Sequence, residues 1–253
     1  MSNELIINST HDGARLALLK NKNLVEFHYD NEENKFKVGD IYLGTVKKIV
    51  PGLNAAFIDI GYEKDAFLHY LDLGPQIRSL IKYSKQAQTN KHATGGLGKF
   101  KKEPDINKLG KMSQVLSKGQ QILVQVVKEP ISTKGPRLSS ELSLAGRYIV
   151  LVPFSDRVSV SQKIESKEEK SRLKRLVKSI KPKGFSVIIR TVAEGKKVAD
   201  IDKDLQNLMK RWENMCKKLH KAHQPSKVLG NPGQASSILR DMFNDSFTSI
   251  CVD

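Results

Sequence analysis

Ala55-Ala56-Phe57-Ile58-Asp59-Ile60-Gly61 and, after a charged turn, Asp65-Ala66-Phe67-Leu68-His69-Tyr70 read as two short strands, each with a phenylalanine in its alternation. Successive side chains of a strand face opposite sides of a sheet. Each phenylalanine therefore belongs either to a core or to an exposed face on which nucleic-acid bases stack. These two strands alone leave both readings open.

Ile41 to Ile49 on one side of this pair and Gln121 to Val127 and Leu138 to Leu144 on the other supply three further short strands, with Pro51-Gly52 and Gly61 as turns. Five strands at this spacing fit an OB-fold barrel. Residues 74–120 interrupt the pattern and include Ala93-Thr94-Gly95-Gly96-Leu97-Gly98-Lys99; Arg78 to Lys118 carries ten Lys or Arg against Glu103 and Asp105, a net charge of +8. Such a segment reads as a mobile, solvated insertion, and a tethered polycation also attracts phosphates.

The chain starts with alternating runs, Leu5-Ile6-Ile7, Ala14 to Leu19 and Leu24 to Tyr29, with Lys20-Asn21-Lys22-Asn23 as a hairpin turn. Three strands without a helix cannot cover both faces of a sheet. A helix containing Ile238, Leu239, Met242 and Phe243, followed by a strand from Thr248 to Val252, is expected to complete the unit from the far end of the chain. Between them, residues 146–196 read as a compact α/β piece with strands Tyr148 to Pro153, Val158 to Ser161 and Ser186 to Arg190. Its helix opens on the capping box Ser166-x-x-Glu169 and places Leu173, Leu176, Val177 and Ile180 on one face. A longer helix, Val198 to His220, carries Ile201, Leu205, Leu208, Trp212, Met215 and Leu219 as a stripe, which makes Trp212 a core residue.

With 43 Lys and Arg against 27 Asp and Glu in 253 residues, the net charge is +16, which favours a polyanionic partner, nucleic acid before membrane. No apolar run reaches membrane-spanning length and no leader pattern is visible, so the expected compartment is the cytoplasm. Cys216 and Cys251 lie far apart without a Cys-x-x-Cys pattern, against a disulfide framework or a zinc site within this chain. Arg190-Thr191, ending an apolar strand, could bind a terminal phosphate through a guanidinium fork and a hydroxyl, and could equally be an ordinary strand end. Asp105-Ile106-Asn107 has a Mg²⁺-binding form but no rigid element to aim it. Cys216, His220 and His223 share a helical face whose lysines favour solvent.

Assembled in order, the motifs resemble the ribonuclease E/G family of single-strand-specific endoribonucleases. They are Glu4-Leu5-Ile6-Ile7-Asn8, Ile41-Tyr42-Leu43-Gly44, Ala55 to Gly61, Gly119-Gln120 with Val124-Gln125, Lys134-Gly135, Leu142 to Tyr148, Ile189-Arg190-Thr191 and Trp212-Glu213. The resemblance implies a multidomain α+β fold: an RNase H-like α/β domain in two halves (1–38 and 216–253), an inserted S1-type OB-fold β-barrel (39–130, with the flexible basic insertion 74–120) and a small α/β 5′-sensor domain (131–215). It implies RNA contacts at Phe57, Phe67 and Lys134. It also implies a 5′-phosphate site of Arg190, Thr191, the Gly146 backbone amide, and Val150 beneath the terminal base. Gln162-Lys163 departs from the paired arginines that some members place after the second sensor strand. The family acts in rRNA processing and mRNA decay. Its catalytic Mg²⁺ and its intersubunit Zn²⁺ belong to a further domain beyond the last strand here, so the resemblance implies no cofactor in this chain. The expected partner is single-stranded RNA, preferably 5′-monophosphorylated, bound without cleavage; full-length members are expected as homo-oligomers and this piece as a monomer. The other reading is a non-catalytic S1-type RNA-binding or ribosome-associated protein.

Overall fold

The structure is a computed structural model that describes residues 2–10, 13–31, 36–89, 95–231, 234–242 and 246–253. Ala93, Thr94, Pro232, Gly233 and Phe243, which entered the sequence reading, lie outside the described residues. Among the described residues the strands form three sheets in a mixed α+β architecture.

The strands β1 (Asn3–Thr10), β2 (Gly13–Lys20) and β3 (Asn23–Asn31) form an antiparallel meander. Asn21 and Lys22 close its second turn with φ of 50° and 65°, as a two-residue hairpin requires. Next come β4 (Ile41–Val50), β5 (Ala55–Asp59) and β6 (Ala66–His69), then α1 (Ile77–Thr89), β7 (Gln121–Lys128) and β8 (Arg137–Ser139). The order β4-β5-β6-β8-β7, with β7 pairing back onto β4, closes a five-strand barrel. Gly44 lets β4 cross the barrel, because a β-carbon there would lie 2.8 Å from the Asp59 carbonyl oxygen. The fifth strand is shorter than the run Leu138 to Leu144 suggests: Ser139 Oγ and Ser140 N–H both donate to the Asp72 carbonyl at 3.0 Å and turn the chain away.

Most of residues 74–120 differs from the mobile insertion expected. Ile77, Leu80, Tyr83 and Ala87 form the buried stripe of α1, and Leu97, Met112 and Leu116 are buried beyond it. The lysines occupy the outside of a packed segment, and their number hid the sparse apolar period beneath.

The α/β piece contains β9 (Leu144–Ala145), β10 (Ile149–Pro153), β11 (Val158–Val160), α2 (Lys167–Ile180), β12 (Phe185–Ile189) and α3 (Val198–His220). Its sheet runs β11-β12-β10-β9, with β11 parallel to β12. Only half of the capping box forms: Ser166 Oγ accepts from the Glu169 N–H at 3.2 Å, while the Glu169 carboxylate turns to Arg172 and Gly195. The next strand, β13 (Ser226–Leu229), pairs antiparallel with β4, and Lys227 Nζ meets the buried Asp40 carboxylate at 2.6 Å. β13 therefore lies in the barrel sheet, inside the compact unit Val38–Gly230. Finally α4 (Gln234–Met242) leads to β14 (Phe247–Val252), which lies parallel to β1. Met1–Lys37 and Asn231–Asp253 form one compact unit around Leu5, Ile7, Leu16 and Ile238, and Val38–Gly230 forms the other.

Trp212 is fully buried at the centre of the larger unit. Its ring stacks on Tyr83 at 5.8 Å and meets Phe185 edge-on at 5.7 Å and Phe154 at 6.2 Å. The indole N–H donates to the Gly95 carbonyl at 2.8 Å, so the burial leaves no polar cost. Trp212→Ala is expected to lower stability by about 3–5 kcal/mol, measured by denaturant titration; an unchanged midpoint would show that the ring is not the centre of the core.

Candidate nucleic-acid interface

Alternation in the barrel strands decides where the phenylalanines point. Ala56, Ile58, Ala66 and Leu68 are buried inside, whereas Phe57 and Phe67 are directly paired and half-buried on the outside. Their rings meet edge-on with centroids 5.8 Å apart, and His69 lies 6.4 Å from Phe67. Register extends the pair into a row across four strands: Lys48 of β4 opposes Phe57, and Arg137 of β8 opposes Phe67. Arg137 is held by two hydrogen bonds to Asp72, at 3.0 and 3.2 Å. The row is a ledge of two rings flanked by cations.

Lys134 is exposed in a tight turn where Ile131 and Lys134 exchange backbone hydrogen bonds. The turn is drawn along β6 by the Phe67 N–H, which donates to the Pro136 carbonyl at 2.8 Å. Gly135 permits that approach, since a β-carbon there would collide with the Asp65 carbonyl. Phe57 and Phe67 thus share the outer face of the barrel, and the turn carrying Lys134 runs on into the segment bonded to β6. Lys48, His69 and Arg137 were missed in the sequence, because their membership depends on register and not on local pattern.

A second cluster lies at the edge of the β11-β12-β10-β9 sheet. Arg190 follows β12, its N–H donating to the Tyr148 carbonyl and its Nη1 to the Gly146 carbonyl, both at 2.8 Å. Thr191 Oγ1 and Ser161 Oγ are 3.0 Å apart, and Ser161 Oγ also accepts from the Lys163 N–H at 3.4 Å. The two hydroxyls share one hydrogen and keep the other for an acceptor. The Gly146 N–H donates to the Ile149 carbonyl at 2.8 Å, and the Gly146 carbonyl holds Arg190. Val150 pairs with Ile188, which is exposed, so an apolar seat adjoins the cluster. A cleft of about 720 Å³ opens between this sheet face, at Arg157, Ser159 and Ile188, and Tyr70 and Leu71 after β6, with Asp105 from the segment between α1 and β7.

Carboxylates pin the surrounding loops. Glu169 accepts from Arg172 and from the Gly195 N–H, and these bonds hold its pKa at about 2. Asp156, bonded to the Gly184 N–H, Lys102 and Lys181, is likewise held at about 2. Cys216 is buried against the Tyr83 hydroxyl at 3.1 Å, and burial pushes its thiol up to about 11; His220 bonds the Gln88 carbonyl. Among the described residues no group of three or more His, Cys, Asp or Glu side chains is placed to hold a metal ion. No helix of the described residues is long and apolar enough to cross a membrane.

Residues 143–253 match the model of the ribonuclease E/G family. Over 250 residues the chain is 35% identical to the ribonuclease G of Haemophilus influenzae, covering 99% of this chain and 47% of that protein. It is 34% identical to the ribonuclease G of Escherichia coli over 253 residues, all of this chain and 48% of that one. A ribonuclease E of Synechocystis is 38% identical over 218 residues, 86% of this chain and 28% of its own length. The chain spans about half the length of the ribonuclease G relatives it matches.

Glu169 and Asp156 titrate in the folded protein at about 2, below their ordinary values of 4.5 and 3.8. Their contribution is therefore complete above the ordinary values and is lost as pH falls toward 2. The melting temperature is expected to drop over that interval, and Glu169→Gln is expected to remove part of the drop. An acid profile identical to that of the unsubstituted protein would refute the role given to Glu169.

Proposed function

This chain belongs to the ribonuclease E/G family, and we propose that its residues hold single-stranded RNA and read a 5′-monophosphate on behalf of an endoribonuclease. The observation that carries this reading is the row Lys48, Phe57, Phe67 and Arg137 on the outside of the barrel. A ring offers any base a π-face, while the flanking cations neutralise the backbone, so the ledge suits single strands of many sequences. Phe57 and Phe67 stack bases and Lys134 meets phosphate.

At the 5′ end, the Arg190 guanidinium and the Thr191 hydroxyl bind the terminal phosphate, with Val150 beneath the terminal base. Ser161 supports Thr191 through their 3.0 Å contact. In this reading the barrel is an S1-type OB-fold, the β11-β12-β10-β9 sheet with α2 is a 5′ sensor, and the unit made by the chain ends is an RNase H-like domain. Mg²⁺-dependent hydrolysis and a Zn²⁺ shared between subunits of a homo-oligomer belong to family members of greater length. These residues alone bind RNA in the cytoplasm without cutting it, and the parent enzyme serves rRNA processing and mRNA decay.

Phe57→Ala and Phe67→Ala are each expected to weaken binding of single-stranded RNA by about 1–3 kcal/mol in fluorescence-anisotropy titrations. Unchanged affinity in both variants would sink the ledge. Otherwise identical oligonucleotides with 5′-phosphate and 5′-hydroxyl ends test the sensor: the phosphorylated strand should bind more tightly, and Arg190→Ala should abolish the difference. Equal affinities in the unsubstituted protein would favour a non-catalytic RNA-binding protein.

A further inference from the structure

One carboxylate from α3 enters the turn that holds Arg190. Asp204 accepts three consecutive backbone N–H groups, from Arg147 at 3.2 Å, Tyr148 at 2.8 Å and Ile149 at 3.2 Å. The neighbouring Gly146 is the residue that lets the carboxylate in, since a β-carbon there would lie 2.5 Å from Asp204 Oδ2. Asp204 is aimed by its helix: Ile201, Leu205 and Leu208 bury the adjoining face of α3.

The carbonyls of this same turn hold Arg190. Gly146 takes the guanidinium and Tyr148 takes the main-chain N–H, each at 2.8 Å. A peptide plane fixes its N–H and C=O together, so a carboxylate that orders the amides also orders the carbonyls. We propose that Asp204 is a positioning residue for the 5′-phosphate site, acting through the 146–149 turn to set the direction of the Arg190 fork. The proposal rests on the 5′-phosphate reading given above. Bidentate recognition depends on orientation as well as charge, so a freed turn costs discrimination even though the Arg190 side chain remains.

The test is anisotropy titration of the 253-residue chain with 3′-fluorescein single-stranded oligonucleotides that differ only in a 5′-phosphate or 5′-hydroxyl end. Asp204→Ala and Asp204→Asn are expected to lower the preference for the phosphorylated end by about tenfold, the worth of one charge-assisted hydrogen bond. Affinity for the hydroxyl end should persist, because the ledge is untouched. Gly146→Ala, which expels the carboxylate without removing it, should produce the same loss, and Gly146→Ala with Asp204→Ala should lose no more than Asp204→Ala alone. A merely structural role would lower the melting temperature and leave the preference intact, and that result in any folded variant overturns the proposal, as do additive losses in the pair. Absence of any preference in the unsubstituted protein is a distinct outcome, which removes the underlying 5′-phosphate reading.

Discussion

The larger unit depends on the burial of Trp212 among aromatic rings drawn from distant parts of the chain. Phe154 follows β10, Phe185 begins β12, and Tyr83 and Phe100 come from the segment between β6 and β7. Aromatic side chains bury large apolar areas and prefer edge or offset contacts, so a cluster of this kind fixes both distance and angle between its elements. With the indole N–H satisfied by Gly95, α3 is locked against the sheet. That placement carries Asp204 to the turn before β10 and hence reaches Arg190.

Charge is divided between two tasks. The carboxylates with defined partners serve the fold: Asp72 steadies Arg137, Asp156 joins Lys102 and Lys181 to the Gly184 turn, Glu169 ties α2 to Gly195, and Asp204 orders the turn at Gly146. The chain as a whole keeps a surplus of +16. Long-range attraction of a polyanion is then independent of the particular side chains that orient it.

The barrel strands, α2 and α3 were legible in the sequence because each has a local period, two residues for a strand and about 3.6 for a helix. The strand that leads into Arg190 and the strands that carry the phenylalanines could be located in the same way, although the exposure of the two rings could not. The helix α1 escaped notice although Ile77, Leu80, Tyr83 and Ala87 follow helical spacing, since lysine and glutamine dominate the composition around them. The β13 strand has no visible signal in the sequence, because four residues carry too little pattern to reveal their partner.

By itself the sequence determined the elements and their chemistry: five barrel strands, an amphipathic α3 with Trp212 on its buried stripe, and candidate contacts at Phe57, Phe67, Lys134 and Arg190. Only the tertiary structure decided which residues act together. Cross-strand register set Lys48 and Arg137 beside the two rings, and helix docking brought Asp204 to the amides of a turn more than fifty residues earlier. The physical reason is that periodicity is a property of neighbouring residues, whereas register and docking are settled by the burial of surfaces far apart in the chain.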